Sequence, residues 1–279
     1  MTKSRKEVFN APPEESLRGT PGIQTEDLGF ELPVETVPLP SRGLVYPVDH
    51  PLHATLTVDI KAMTAREEDI LTSRAFIKKG TVISELIKSC LVDKRINPDT
   101  LLSGDRNALM VAIRITGYGA DYTVEVDCPS CAVRDKYDFN LAELPINPLG
   151  QEPVEMGTNA FEFTLPMTKK VVRFKFITGR DEQEILIASE RRKKGGIIGD
   201  NLVTNKLQYT LVAVDGRTDR SVINHFIRHM PARDSLALRR HADKTEPGVE
   251  MKGWVDCLHC SESSEVEFPI GTSFFWPDS

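Results

Sequence analysis

The sequence predicts an α+β protein of two similar halves. Each half has short β-hairpins, short helices and a Cys-x-x-Cys zinc knuckle, and an extended N-terminal arm precedes both. Three observations predict this. Strand-like alternation and helix-like spacing follow each other at short range. Four of the five cysteines stand in two copies of Val-Asp-Cys-x-x-Cys, Val126–Cys131 and Val255–Cys260. Short matches recur in the same order ahead of each copy.

The arm comes first, over residues 1–51, which hold eight of the eighteen prolines. The stretch Glu35–Pro51 shows neither helical nor strand period, and proline removes donors and biases its predecessor toward extended backbone. Leu39, Leu44, Val45 and Tyr46 give it apolar anchors. The reading is therefore a segment that orders against a neighbouring chain, with Leu39, Leu44 and Tyr46 as partner-binding residues.

The first half, 52–150, starts with alternation at Leu56, Val58 and Ile60, a strand. Thr64-Ala-Arg66-Glu67 is a capping box opening a helix with Ile70 and Leu71 inward. Thr81–Leu91 spaces Val82, Leu86 and Cys90 as one helical face, which makes Cys90 a core residue. Ser103 or Asp105 caps a helix that turns Leu109 and Ile113 inward, and Gly117 and Gly119 stop it. Alternation on both sides of Cys128 and Cys131 predicts strand, cysteine turn, strand.

The second half, 151–279, repeats the order. Phe161, Phe163 and Leu165 mark one strand and Val172, Phe174 and Phe176 another. Thr178-Gly-Arg180-Asp181-Glu182 mirrors Thr64–Glu68, Asp234–Leu238 mirrors Asp105–Leu109, and Val255-Asp-Cys257 mirrors Val126-Asp-Cys128. Matches in one order point to an internal duplication. The C-terminal Phe274, Phe275 and Trp276 are read either as a partner-binding patch or as a cover over the second knuckle.

The cysteines carry the only strong chemical signal. One knuckle offers two thiolates, whereas a structural zinc site closes with four ligands. Cys128, Cys131, Cys257 and Cys260 together would make one site joining the halves. The basic N-terminus lacks an apolar stretch behind it, so the reading is synthesis in the cytoplasm, where thiols stay reduced and metal is favoured over disulfides. Alternatives stay open: relic thiols, a redox pair, or Cys257 and Cys260 with His225 and His229. His259, inside the second hook, suits a turn.

Other constellations are weaker. Glu190–Gly196 puts cations at a helix end, where the dipole favours them. The Lys193–Asp200 glycines lack phosphate-loop spacing. Arg66–Asp69 places carboxylates in a first helical turn, again a dipole effect. No nucleophile elbow or H-E-x-x-H stands in the sequence, and the reading is a non-enzyme. Net charge is −6, which disfavours nucleic acid and anionic membranes.

Pro38–Pro47 (PLPSRGLVYP), Met63–Leu71 (MTAREEDIL), Phe76–Leu91 (FIKKGTVISELIKSCL), Gly104–Gly119 (GDRNALMVAIRITGYG) and Phe268–Ser279 (FPIGTSFFWPDS) carry a resemblance. Together they resemble the T4-type baseplate hub subunit family of contractile-tailed bacteriophages. The resemblance covers about residues 38–140 and the last twenty or so. It implies a structural component of the tail baseplate, made in the host cytoplasm and located in the virion. Its partners would be other baseplate or tail proteins. An assembly chaperone absent from the mature virion is the alternative, and a zinc-ribbon nucleic-acid binder a third.

Overall fold

A computed structural model describes residues 7–8, 23–24, 31–194, 202–268 and 271–276. Its architecture is α+β, with helices packed among small antiparallel sheets. No helix among the described residues is long and apolar enough to cross a membrane.

Two-residue strands β1 (Glu7–Val8), β2 (Ile23–Gln24) and β3 (Glu31–Leu32) come first, β2 pairing with β3. Then β4 (Val34–Pro38) pairs antiparallel with β5 (Thr57–Lys61), Val37 opposite Val58. Inward Val37, Val58 and Ile60 are buried, whereas Leu56 lies ahead of the strand and is exposed. Helices α1 (Ala65–Thr72), α2 (Arg74–Lys79) and α3 (Val82–Cys90) pack beside this hairpin, and Leu91 bridges back to Ile60. Cys90 is fully buried and its thiol is pushed up to about 12, first by burial and then by Glu67, so it is an inert core residue.

Helix α4 (Ser103–Tyr118) is the centre of the molecule, with an unbroken buried run from Ala108 to Arg114. It runs through Gly117 and ends only at Gly119, where φ is 87°. Gly117 has negative φ and faces Met63, so it does not stop the helix. The hairpin β6 (Asp121–Asp127) and β7 (Arg134–Asn140) follows, then β8 (Pro145–Asn147), which β1 flanks on one side.

The rest of the chain opens with the hairpin β9 (Phe161–Thr164) and β10 (Val171–Phe174), then α5 (Gly179–Lys194) and α6 (Leu202–Thr210). Leu165 lies in the turn and Phe176 beyond the strand, both buried. Strand β11 (Leu211–Val214) adds to β10. Helix α7 (Arg220–His229), capped by Asp219, precedes α8 (Ala232–Thr245). Short β12 (Gly248–Val249) pairs with β8, and the hairpin β13 (Lys252–Asp256) and β14 (Ser263–Glu267) closes the order before a 3-10 turn at Thr272–Phe275. The basic run at 190–196 lies on α5 as far as Lys194; its glycines, and most of Lys193–Asp200 read as a phosphate loop, lie outside the described residues.

Two joints carry the same bonds. At β5–α1, the Thr64 N–H and hydroxyl donate to Glu67 at 2.9 and 2.5 Å, and Lys61 donates at 3.1 Å. At β10–α5, the Thr178 N–H and hydroxyl donate to Asp181 at 3.0 and 2.9 Å, and Lys175 donates at 2.7 Å. Both are reciprocal N-terminal caps with an added cation. A second pair lies at the hairpin turns. Buried Asp105 accepts from the Ser41 N–H and hydroxyl and from the Tyr46 hydroxyl. Buried Asp234 accepts from the Met167 and Thr168 N–H groups and the Thr168 hydroxyl.

The two parts share one core rather than two. Leu102 bridges Thr178, and Ser103 donates to Ile177 at 2.9 Å. Gln183 reaches Asp99 at 2.7 Å, and Arg106 pairs with Glu182 at 3.3 Å. A side chain at Gly179 would put its Cβ 2.5 Å from the Arg106 guanidinium, so any larger residue there would have to displace that side chain.

The expected arm, 1–51, needs correction over 31–51; of residues 1–30, all but 7–8 and 23–24 lie outside the described residues. Leu39, Val45, Tyr46 and Leu52 are each 3% exposed, in the protein's own core, and half-buried Leu44 packs against it. What holds the segment is Asp105 and a turn at Arg42 and Gly43, both at positive φ. A Cβ on Gly43 would fall 2.3 Å from the Leu52 carbonyl oxygen, which only glycine avoids. Leu39 and Tyr46 therefore have almost no surface to offer a partner.

Candidate functional site

The site sits where two hairpin ends meet. Strands β6 and β7 bring Asp127 opposite Arg134, and the chain between them closes as a cysteine turn. The Cys128 N–H donates to the Val133 carbonyl at 2.9 Å, and the Ala132 N–H to the Cys128 carbonyl at 2.8 Å. At the other hairpin the Cys257 N–H donates to the Glu262 carbonyl at 3.1 Å and the Ser261 N–H to the Cys257 carbonyl at 2.9 Å. Ala132 and Ser261 hold φ of 59° and 57°. The turns thus match bond for bond, including a left-handed residue just after the second cysteine.

These turns bring the four sulfurs together. Cys128 Sγ lies 3.8 Å from Cys260 Sγ, and Cys131 Sγ 3.6 Å from Cys257 Sγ. All four fall within 4.8 Å of one another. A disulfide needs about 2.05 Å, so none is formed. A tetrahedral shell with sulfur about 2.3 Å from zinc has sulfur–sulfur edges of about 3.8 Å, close to the two cross-hairpin separations. The donor set is four soft sulfurs, which fits Zn²⁺ and closes its shell.

Electrostatics agree with that chemistry. The Cys257 thiol is held down at about 6 by the backbone N–H groups of Cys260 and His259, so it is already a thiolate near neutral pH. The Glu262 backbone favours the Cys260 thiolate, but burial and the neighbouring cysteines push that thiol up to about 12. Four crowded thiols cannot all ionise without a cation among them. The Tyr137 hydroxyl is buried with no hydrogen-bond partner among the described residues. Burial and then Cys257 raise its pKa, and a donor beside a thiolate suits the outer shell of a metal site.

Packing beneath the turns is aromatic. Phe139 and Phe268 join the hairpins with ring centroids 4.4 Å apart, and Tyr122 meets Phe274 at 5.2 Å. Gly253 makes room, since a Cβ there would sit 2.4 Å from Phe139. Phe274 and Phe275 are fully buried in this layer, and half-buried Trp276 packs on the core. Phe274 and Phe275 thus follow the covering alternative and have almost no surface to offer a partner, whereas Trp276 remains part-exposed.

The alternative ligands lie elsewhere. His225 and His229 lie side by side on α7, ring centroids 4.3 Å apart and tilted by 33°, and do not belong to the cysteine cluster. His259 points to Asp135 at 3.5 Å across the two turns. The buried acids Glu67, Asp181, Asp105 and Asp234 were not singled out by sequence reasoning as a structural set. A signal existed in Lys61-x-x-Thr64-x-Arg66-Glu67 and Lys175-x-x-Thr178-x-Arg180-Asp181, where the lysine repeats with the cap.

Residues 36–159 match the family model described as T4 bacteriophage base plate protein. The matched span runs from within β4 through β8 and includes the first cysteine turn, less than half of the 279-residue chain. It supports a T4-type baseplate protein and does not single out a hub subunit. No curated protein and no solved structure is significantly similar to the chain.

Proposed function

We propose that this chain, with its T4-type base plate segment at 36–159, is a structural subunit of a contractile phage tail baseplate. It would bind other baseplate or tail proteins in the virion and catalyse nothing. The family match is the observation that carries this reading. The test is mass spectrometry of purified particles. Peptides from this chain at constant ratio to the other baseplate proteins are the expected result. Absence from particles, with presence in assembly intermediates, would instead make it an assembly chaperone.

Within that subunit, Cys128, Cys131, Cys257 and Cys260 would hold one structural zinc. The site joins a hairpin inside the matched span to one outside it, so it would clip the two halves together. Metal binding of this kind contributes on the order of 10 kcal/mol to folding. The matching caps, buried aspartates and cysteine turns support reading the halves 52–150 and 151–279 as diverged copies of one unit.

A further inference from the structure

A groove of about 680 Å³ lies between α1, α2 and the end of α3. Four cations line it: Lys61, Arg66, Lys88 and Lys94. Glu85 lies on the same wall, and Glu67 is fully buried behind Lys61 at 3.1 Å. Four cations against two carboxylates leave an excess of two positive charges, on a protein whose net charge is −6. Ile70, Phe76 and half-exposed Val92 add apolar surface.

Two of the four cations are not consumed by the fold, whereas Lys61 pairs with Glu67 and Lys94 caps α3. Arg66 and Lys88 are exposed and have no ion-pair partner among the described residues. Lys94 donates to the carbonyls of Lys88, Ser89 and Leu91, capping α3 without meeting a carboxylate. Burial and then the charges of Lys61 and Arg66 lower its pKa, so these groups crowd one another. Unpaired like charges held together cost free energy that an incoming carboxylate would recover.

We propose that this groove docks an acidic, partly apolar segment of another protein chain, its carboxylates on Arg66 and Lys88 and an apolar side chain against Phe76 and Val92. The inference does not depend on the baseplate reading, because charge and shape alone carry it. Among the described lining residues Phe76 alone is aromatic, with no second ring on which a following base could stack, which favours a peptide over single-stranded nucleic acid.

The test uses the full chain and fluorescence anisotropy with labelled peptides of alternating Glu and Leu, Gln and Leu, or Lys and Leu, and a poly-dT oligonucleotide. Only the Glu-Leu peptide is expected to bind, weakening about tenfold between 50 and 300 mM salt. The double variant Arg66→Gln/Lys88→Gln should weaken it to a similar degree, and Arg66→Lys/Lys88→Arg should restore it at unchanged melting temperature. No binding of the Glu-Leu peptide, or equal binding by wild type and the Gln variant, would overturn the proposal. So would preferential oligonucleotide binding. Self-association that the Gln variant abolishes would likewise overturn it, assigning the groove to a second copy.

Discussion

Glu67 shows how one side chain fixes a joint. It is fully buried, yet its carboxylate takes bonds from Ser89, Thr64 and Lys61. Burial alone would raise its pKa; those donors outweigh it and lower the value from 4.5 to about 2. A depressed folded pKa gives stability that is full above about pH 4.5 and is lost as pH falls toward 2. The contribution is on the order of 3 kcal/mol at neutral pH. Glu67→Gln should lower stability by that order at pH 7 in urea unfolding. The difference from wild type should shrink steadily below pH 4.5. A pH-independent difference would show that the loss is one of packing rather than charge. Asp181, in the equivalent cap, takes the same kinds of donor through a shorter side chain.

Hairpin turns and the helices beneath them are the next scale, and here the sequence was only partly legible. The cysteine turns could be read because metal spacing is local: two residues between thiols, alternation on either side. The capping box at Thr64 could be read for the same reason. Burial of Leu39 and Tyr46 could not. Proline-rich backbone has no period, and the acid that anchors it, Asp105, is 64 residues from Ser41 in the chain. The sequence placed Asp105 at a helix start; its partners across the core were invisible. Helix α7 and strand β11 were missed although Asp219 caps the helix with its carboxylate on two N–H groups. The parallel between Asp105 and Asp234 gives a prediction. Asp105→Ala leaves the Ser41 N–H and hydroxyl and the Tyr46 hydroxyl without their acceptor; Asp234→Ala does the same to the 167–168 turn. Each should cost on the order of 2–4 kcal/mol, read as lost protection of its own hairpin in hydrogen exchange. Loss at β9–β10 in the Asp105 variant and not at β4–β5 would contradict the local role of these acids.

At the scale of the whole molecule, a single core spans two parts that contact each other at β8–β12, at the Arg106–Gly179 seam and at the cysteine turns. The first two contacts are hydrogen bonds and close packing. The third stands over aromatic rings from both hairpins and gathers four thiols that could hold a metal ion. That the four cysteines form one shared site, rather than two separate ones, is the central claim. Native mass spectrometry of the intact chain, prepared without chelator, tests it most directly. One zinc per chain is the predicted result, lost in Cys128→Ser and equally in Cys257→Ser because each hairpin supplies half the shell. No zinc, two zincs, or a zinc retained when either cysteine is replaced would contradict it.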